Sequence, residues 1–266
     1  DNYVLQDADG NIITSLDDEE KGTIVKHTHA AKNYTDNEDG THKVTCACGY
    51  VLESNAPHTY TEANREWKCP CGEIAVADVD GVKFVNFADA VAAWQVSTAK
   101  KLTLLADVQT SRIELTTDNG TQKVLELNGW QLKLTTRTAL TNHISLTIQD
   151  SSETGTGSLY SNVYKQYATL VTNHGELNIT GGTFEVTAKG TTPIVSEGTL
   201  NISGNAMIRA RYNAVLAKGL TTISGDVMIE APTAISCYGV VDVSGANNCV
   251  GWTVANKGGT LKLPAE

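Results

Sequence analysis

A short phrase recurs along the chain and confines what it can fold into. LNITG begins at Leu177, LNISG at Leu200, TTISG at Thr221 and VDVSG at Val241. Weaker copies are LTLLAD at Leu102, LELNG at Leu125, LTIQD at Leu146 and LKLP at Leu261. The third residues of the copies are 104, 127, 148, 179, 202, 223, 243 and 263, in steps of 23, 21, 31, 23, 21, 20 and 20. A period near 20, carried by alternating β-branched and polar residues, is the pattern of a solenoid whose repeats pack on their neighbours.

Each repeat holds three strand-like runs. After the LNISG-type strand come TFEVTA, AMIRA, VMIEA and NCVGW, and then PIVSEG, AVLAKG, AISCYG and TVANKG. Three short strands and their turns make one coil of a parallel β-helix. Period-two alternation points Leu177 and Ile179, Leu200 and Ile202, Ile223, Val241 and Val243, and Leu261 and Leu263 inward on the first sheet. On the second sheet it stacks Phe184 with Ala206 and Val227, and Val186 with Ile208, Ile229 and Cys249. On the third it stacks Ile194 with Val215, Ile235 and Val254, followed by Ser196, Ala217, Cys237 and Asn256. Gly198, Gly219, Gly239 and Gly258 mark one corner of successive coils. Cys237 and Cys249 read as buried small side chains, with a disulfide across the interior as the alternative.

The segment DVDGVKFVNFADAVAAWQVSTAKKLTLLADV, followed by VLELNGWQLKL, resembles the start of right-handed parallel β-helices of the pectate-lyase-like superfamily. More narrowly, it is similar to β-helix segments of large surface proteins from Gram-positive gut bacteria. The resemblance runs from about Ala75 to Glu266. It implies an all-β fold with a short helix before the first coil, and an extracellular or bacterial cell-surface location. Asn86 is placed to cap that helix, with Asp89 three residues on. Phe87, Val91 and Trp94 share one apolar face that would cover the open end of the solenoid.

The formal net charge of −10 and the pI near 5.1 argue against nucleic acid and anionic lipid as partners. No apolar run approaches the roughly 20 residues of a membrane span. The chain opens on DNYVLQDADGNIITSL, a strand–turn–strand pattern with Asp9-Gly10 at the turn. With no initiator Met it reads as a piece of a longer polypeptide. The expected organisation is an N-terminal strand segment or end of a preceding domain at 1–26, a His/Cys module at 27–74 and the β-helix at 75–266.

Residues 27–71 hold four of the six cysteines and four of the six histidines. HTHAAKNYTDNEDGTHKVTCACG from His27 and HTYTEANREWKCPCG from His58 each run from a His-Thr pair to Cys-x-Cys-Gly, as a duplication would. Thiolates and imidazoles at this density suit a structural Zn²⁺. The candidate ligands are His27, His29, His42, Cys46, Cys48, His58, Cys69 and Cys71. Eight ligands would make two tetrahedral sites, or the four cysteines would make one. The segment resembles small, zinc-ribbon-like His/Cys repeats of the same surface proteins, although most zinc knuckles use Cys-x-x-Cys. Disulfides are the alternative in an oxidising compartment.

No catalytic set emerges. Between the two interior residues of the first-sheet strands lie Glu126, Thr147, Asn178, Asn201, Thr222, Asp242 and Lys262. The two carboxylates are five coils apart, about 24 Å at 4.8 Å per coil, too far to share a glycosidic bond. Arg209 and Glu230 should pair across neighbouring coils of the second sheet. His143 and His174, each after Thr-Asn, read as turn residues at one corner. The long 31-residue step contains Tyr160, Tyr164 and Tyr167, spaced to share one side of a helical turn and to offer a sugar or protein flat faces. The expected function is a non-catalytic module for adhesion, glycan or host-protein binding, or domain spacing. The alternative is a polysaccharide lyase or glycoside hydrolase of the pectate-lyase-like type.

Overall fold

A computed structural model describes residues 3–96, 98, 100–116, 120–163 and 168–264. They fall into two compact units, Asp1–Ile74 and Ala75–Glu266.

The second unit is a parallel β-solenoid of about seven turns. Its first sheet holds eight parallel strands, from Lys101–Leu104 to Thr260–Lys262. The second sheet holds six, from Val108–Thr110 to Met228–Glu230. The third holds seven, from Ile113–Leu115 to Val254–Asn256. The interior is built of stacked apolar columns. Leu102, Leu125, Ile148, Ile179, Ile202 and Ile223 form one in register, and all six are buried. Leu140, Val171, Ile194, Val215, Ile235 and Val254 form another on the third sheet.

Two columns differ from the sequence expectation, each by two residues. Leu125, rather than Leu127, pairs with Ile148, which places Lys123 opposite Leu146. On the second sheet Phe184 pairs with Ile208 and onward with Ile229, not with Ala206 and Val227. A one-residue slip would turn every side chain to the other face, whereas a two-residue slip leaves the faces unchanged, so alternation alone does not detect it. Cys249 lies outside the strands, in the turn after Ala246, and is not a ladder residue. Leu263, expected inward, lies past the end of the last first-sheet strand and is exposed, with no further coil among the described residues to cover it. Cys237 and Cys249 are both free thiols.

Lys123 therefore begins an interior column, and it is fully buried. Its Nζ donates to Trp94 O at 2.7 Å. That carbonyl lies in the last turn of α-helix α1, Phe87–Val96, where backbone acceptors lack helical partners. Burial pushes the Lys123 amine below its ordinary value. Asn86 caps the helix by accepting from Ala88 N at 2.8 Å. Phe87, Ala90 and Trp94 are its buried face, with Val91 only partly buried.

Just before the helix, strands Ala77–Val79 and Val82–Phe84 form a hairpin that adds antiparallel to the edge of the first sheet. Its two-residue turn, Asp80-Gly81, has positive φ at both positions, 45° and 97°. That is the geometry Asp-Gly favours. The Val79-Asp80-Gly81-Val82 run is the sequence signal for this hairpin.

One interior row is polar. Asn142 Nδ2 donates to Asn173 Oδ1 at 2.8 Å, and Asn173 Nδ2 donates to Ser196 Oγ at 3.0 Å. The same Asn173 amide donates to Gly175 O and Thr199 O. Both asparagines are fully buried, so each bond replaces water that cannot enter. Asn173→Ala is expected to cost roughly 2–3 kcal/mol, because it leaves buried carbonyls unpartnered as well as a gap. Asn178→Ala, on the outer face and bonded only to Glu176 and Asn201, should stay within about 0.5 kcal/mol. Denaturant unfolding of the two variants checks the contrast.

The 31-residue step does not form one loop: strand Ser158–Ser161 interrupts it, and the turns at 150–157 precede that strand. Tyr160 lies in that strand, paired with Lys133 and Glu185. It does not begin a helical turn. Its hydroxyl lies 3.4 Å from Thr187 Oγ1. Tyr164 and Tyr167 lie outside the described residues.

The first unit is a set of small antiparallel sheets. Strands β1 (Tyr3–Gln6), β2 (Ile12–Ile13) and β3 (Thr23–Lys26) run in the order β2-β1-β3. The expected Asp9-Gly10 turn is present, with Gly10 at φ 83° and Asp7 Oδ1 accepting from Asp9 N and Asn11 N. Strands β4 (Asn33–Asp36), β5 (Thr41–Thr45) and β6 (Val51–Pro57) make a second sheet. Strands β7 (Thr61–Ala63), β8 (Glu66–Lys68) and β9 (Ile74–Ala75) make a third.

Candidate metal centres

The duplication read in the sequence is a structural one. In each copy a histidine segment leads into a hairpin, β4-β5 or β7-β8, and the hairpin ends in Cys-x-Cys-Gly. The turns after the two hairpins are built alike. Gly49 N donates to Cys46 O and Cys46 N to Tyr50 O; Gly72 N donates to Cys69 O and Cys69 N to Glu73 O. Gly49 and Gly72 have φ of 84° and 106°, which an L side chain adopts only with strain. The glycine thus folds the chain back so that both sulfurs of each pair reach one point.

The eight candidate ligands separate into two groups of four. His27, His29, Cys46 and Cys48 form one, and His42, His58, Cys69 and Cys71 the other. Within each group the ligand atoms all lie within 4.8 Å of one another. In the first, His27 Nε2 is 2.8 Å from Cys46 Sγ, and His29 Nδ1 is 3.3 Å from Cys48 Sγ. In the second, His42 Nδ1 and His58 Nδ1 are each 3.4 Å from a sulfur, of Cys69 and Cys71 respectively. A tetrahedral ion with Zn–S and Zn–N bonds of ordinary length separates its ligand atoms by about 3.3–3.8 Å. Three of the four nitrogen–sulfur distances match that edge, and the His27–Cys46 pair is drawn tighter. The donor set and its spacing therefore fit a metal ion. The four thiols are free, and the arrangement is two His₂Cys₂ groups rather than one Cys₄ group.

Surroundings reinforce each group. Tyr50 stacks on His29 with centroids 4.2 Å apart, and Tyr60 stacks on His58 at 5.9 Å. His29 and His58 are equivalent in place, since each faces the second cysteine of its pair through Nδ1. The His-Thr phrase suggests His27 and His58 instead. The Cys46 thiol is held down to about 5 by a backbone hydrogen bond from Cys48 and by His27, which favours the thiolate that metals bind. Burial pushes the Cys71 thiol up. Tyr60 is pushed up to about 12, first by burial and then by the neighbouring cysteines.

On the solenoid, Arg209 Nε meets Glu230 Oε2 at 2.8 Å, with Glu185 in register on the other side of Arg209. The pair is largely exposed, so it contributes little beyond local order. The outer row Thr147, Asn178, Asn201, Thr222, Asp242, Lys262 is in register as expected. Glu126 is not part of it. Glu126 pairs with Gln149 and is buried, accepting from Asn128 N, Gln149 Nε2, Ser151 N and Ser151 Oγ. Those bonds outweigh burial and hold its carboxyl below the usual range. His143 and His174 stack at one corner with centroids 4.7 Å apart. The row continues through Glu197, 3.1 Å from His174 and 2.7 Å from Lys218. Lys218, and secondarily His174, hold the Glu197 carboxyl below its ordinary value.

A groove of about 740 Å³ lies on the outside of the third sheet, lined by Thr169, Thr192, Val195 and Leu216 with Lys189, Tyr212 and Lys218. In comparisons with family models, curated proteins and solved structures, the chain matches none. No helix among the described residues is long and apolar enough to cross a membrane.

Proposed function

We propose that this chain is a non-catalytic module of a secreted or cell-surface bacterial protein. Its solenoid serves as a rigid spacer and binding platform, and its N-terminal unit folds around two structural zinc ions. The observation that carries the reading is the pair of closed His₂Cys₂ groups. Four protein ligands fill a tetrahedral shell and leave no position for substrate, which is the pattern of structural zinc. The first unit also needs such support. Among its described residues up to Ile74, the buried hydrophobics are only Val44, Cys46, Ala56 and Cys69, and two of these are candidate ligands.

For the platform, the support is the groove on the third sheet. Hydroxyl, amide and lysine groups surround an exposed tyrosine there, and no carboxylate is among its described lining residues. Such a surface suits binding of a glycan or a host surface protein better than glycoside hydrolysis, which uses two acid side chains across the bond. Elemental analysis of the purified chain should give two zinc ions per molecule. Incubation with acidic and neutral polysaccharides should give no new reducing ends or unsaturated products, while a glycan array reads binding. Turnover of any of these polymers would replace the binding reading with the enzymatic one, and a metal-free folded chain would remove the zinc.

A further inference from the structure

The two metal groups are not built alike. The first takes all four ligands from the first repeat: His27 and His29 before β4, Cys46 and Cys48 after β5. The second takes His58, Cys69 and Cys71 from the second repeat and its fourth ligand, His42, from strand β5 of the first. His42 is buried, and the edges of its ring contacts face Tyr34 at 5.5 Å and His58 at 5.4 Å.

A second group comes from the same place. Asp36 on β4 lies directly opposite His42 in the hairpin register. Its Oδ1 is 3.5 Å from Nε2 of His58, whose Nδ1 faces Cys71. A carboxylate on the far nitrogen of a ligating histidine fixes the ring's tautomer and direction. One cross-strand pair of the first repeat thus supplies both a ligand and a positioning carboxylate to the second group.

The second repeat has nothing equivalent to hand on. Counting four residues back from the first cysteine of each pair gives His42 in one repeat and Arg65 in the other. The shorter β7-β8 hairpin places Arg65 in its two-residue turn, where Asn64 and Arg65 both have positive φ.

We infer that the second metal group is a joint that locks the two repeats together, so that filling either group strengthens the other. The inference rests on the zinc reading above. The hairpin β4-β5 is the mechanical link. One end carries the Cys46–Cys48 turn, and His42 lies four residues before Cys46, about 13 Å away in an extended strand. Metal in the first group fixes this hairpin and so presents His42 and Asp36 in place. Linkage then requires the same factor in both directions.

Native mass spectrometry of the full chain during stepwise Zn²⁺ addition tests this. The two-metal species should rise with little of the one-metal species, equivalent to coupling of about tenfold or more. Removing the first group in C46S/C48S should weaken the second by that factor, and C69S/C71S should weaken the first equally. His42→Ala should bind one ion, at the first group, weakened by the same factor. Asp36→Asn, which keeps every ligand, should still bind two ions, with affinity at the second group lowered about 10–100-fold. Two ions binding independently, or a full tight complement in His42→Ala, would overturn the joint while leaving structural zinc in place. No ion bound by the unaltered chain would overturn both.

Discussion

Stripping metal from the folded chain is expected to unfold the first unit and leave the solenoid standing. Structural zinc in small His/Cys modules supplies on the order of 10–16 kcal/mol of folding free energy at neutral pH. The first unit has little to set against that loss. Its described buried hydrophobics are one valine, one alanine and two cysteines, and its sheets are of two to seven residues per strand. The solenoid has its own continuous core, running from Ala77 to Ala246 and containing none of the candidate ligands. Hydrogen exchange with and without EDTA gives the result residue by residue. Amides in 27–71 should lose their protection, while those of Leu146, Leu177 and Leu200 keep theirs. Unchanged protection in 27–71 would show that metal contributes no folding energy there. Loss of protection in both units would show that their folding is coupled.

Much of this architecture was legible because parallel ladders repeat one chemical environment at one spacing. The third-sheet column Ile194–Val215–Ile235–Val254 and the Arg209–Glu230 pair needed only period and alternation. What was not legible has two physical sources. The first is the two-residue slip, which alternation cannot register. The telling sign was chemical: aligning LTIQD correctly requires a lysine at an interior position, where Lys123 Nζ donates to the Trp94 carbonyl in the last turn of α1. The second is a change of role with position in a repeat. Thr-Asn-His occurs twice, at 141–143 and 172–174. The histidine draws attention, yet the asparagine makes the buried ladder. At the metal groups the eight residues were all identifiable from their types and density. Their partition was not, because sequence proximity puts His42 with Cys46, whereas the β5 strand directs it toward Cys69.

Adding one methyl group at Gly219 is expected to be among the most damaging changes the solenoid can suffer. Gly175, Gly198, Gly219, Gly239 and Gly259 stack at one corner, each against the coil before it. A Cβ at Gly219 would fall closer than 3.0 Å to the carbonyl oxygens of Gly198 and Glu197, and both of those atoms are backbone. No side chain can rotate away, so relief requires the coils to move apart. Such movement would strain the ladder at Leu220–Val240 and at Thr199–Leu220 on either side. Gly219→Ala should therefore cost roughly 3–5 kcal/mol, near the upper end of single substitutions. For a unit of this size that lowers Tm by about 10 °C. Gly258 supplies the control. It precedes the stacked Gly259 and was expected from spacing to hold that place, but a Cβ there meets nothing within 4 Å. Its φ of 97° is the sole obstacle, so Gly258→Ala should cost only about 1–2 kcal/mol. Equal losses at the two sites would mean that backbone conformation, not the approach of neighbouring coils, is what these corners require of glycine.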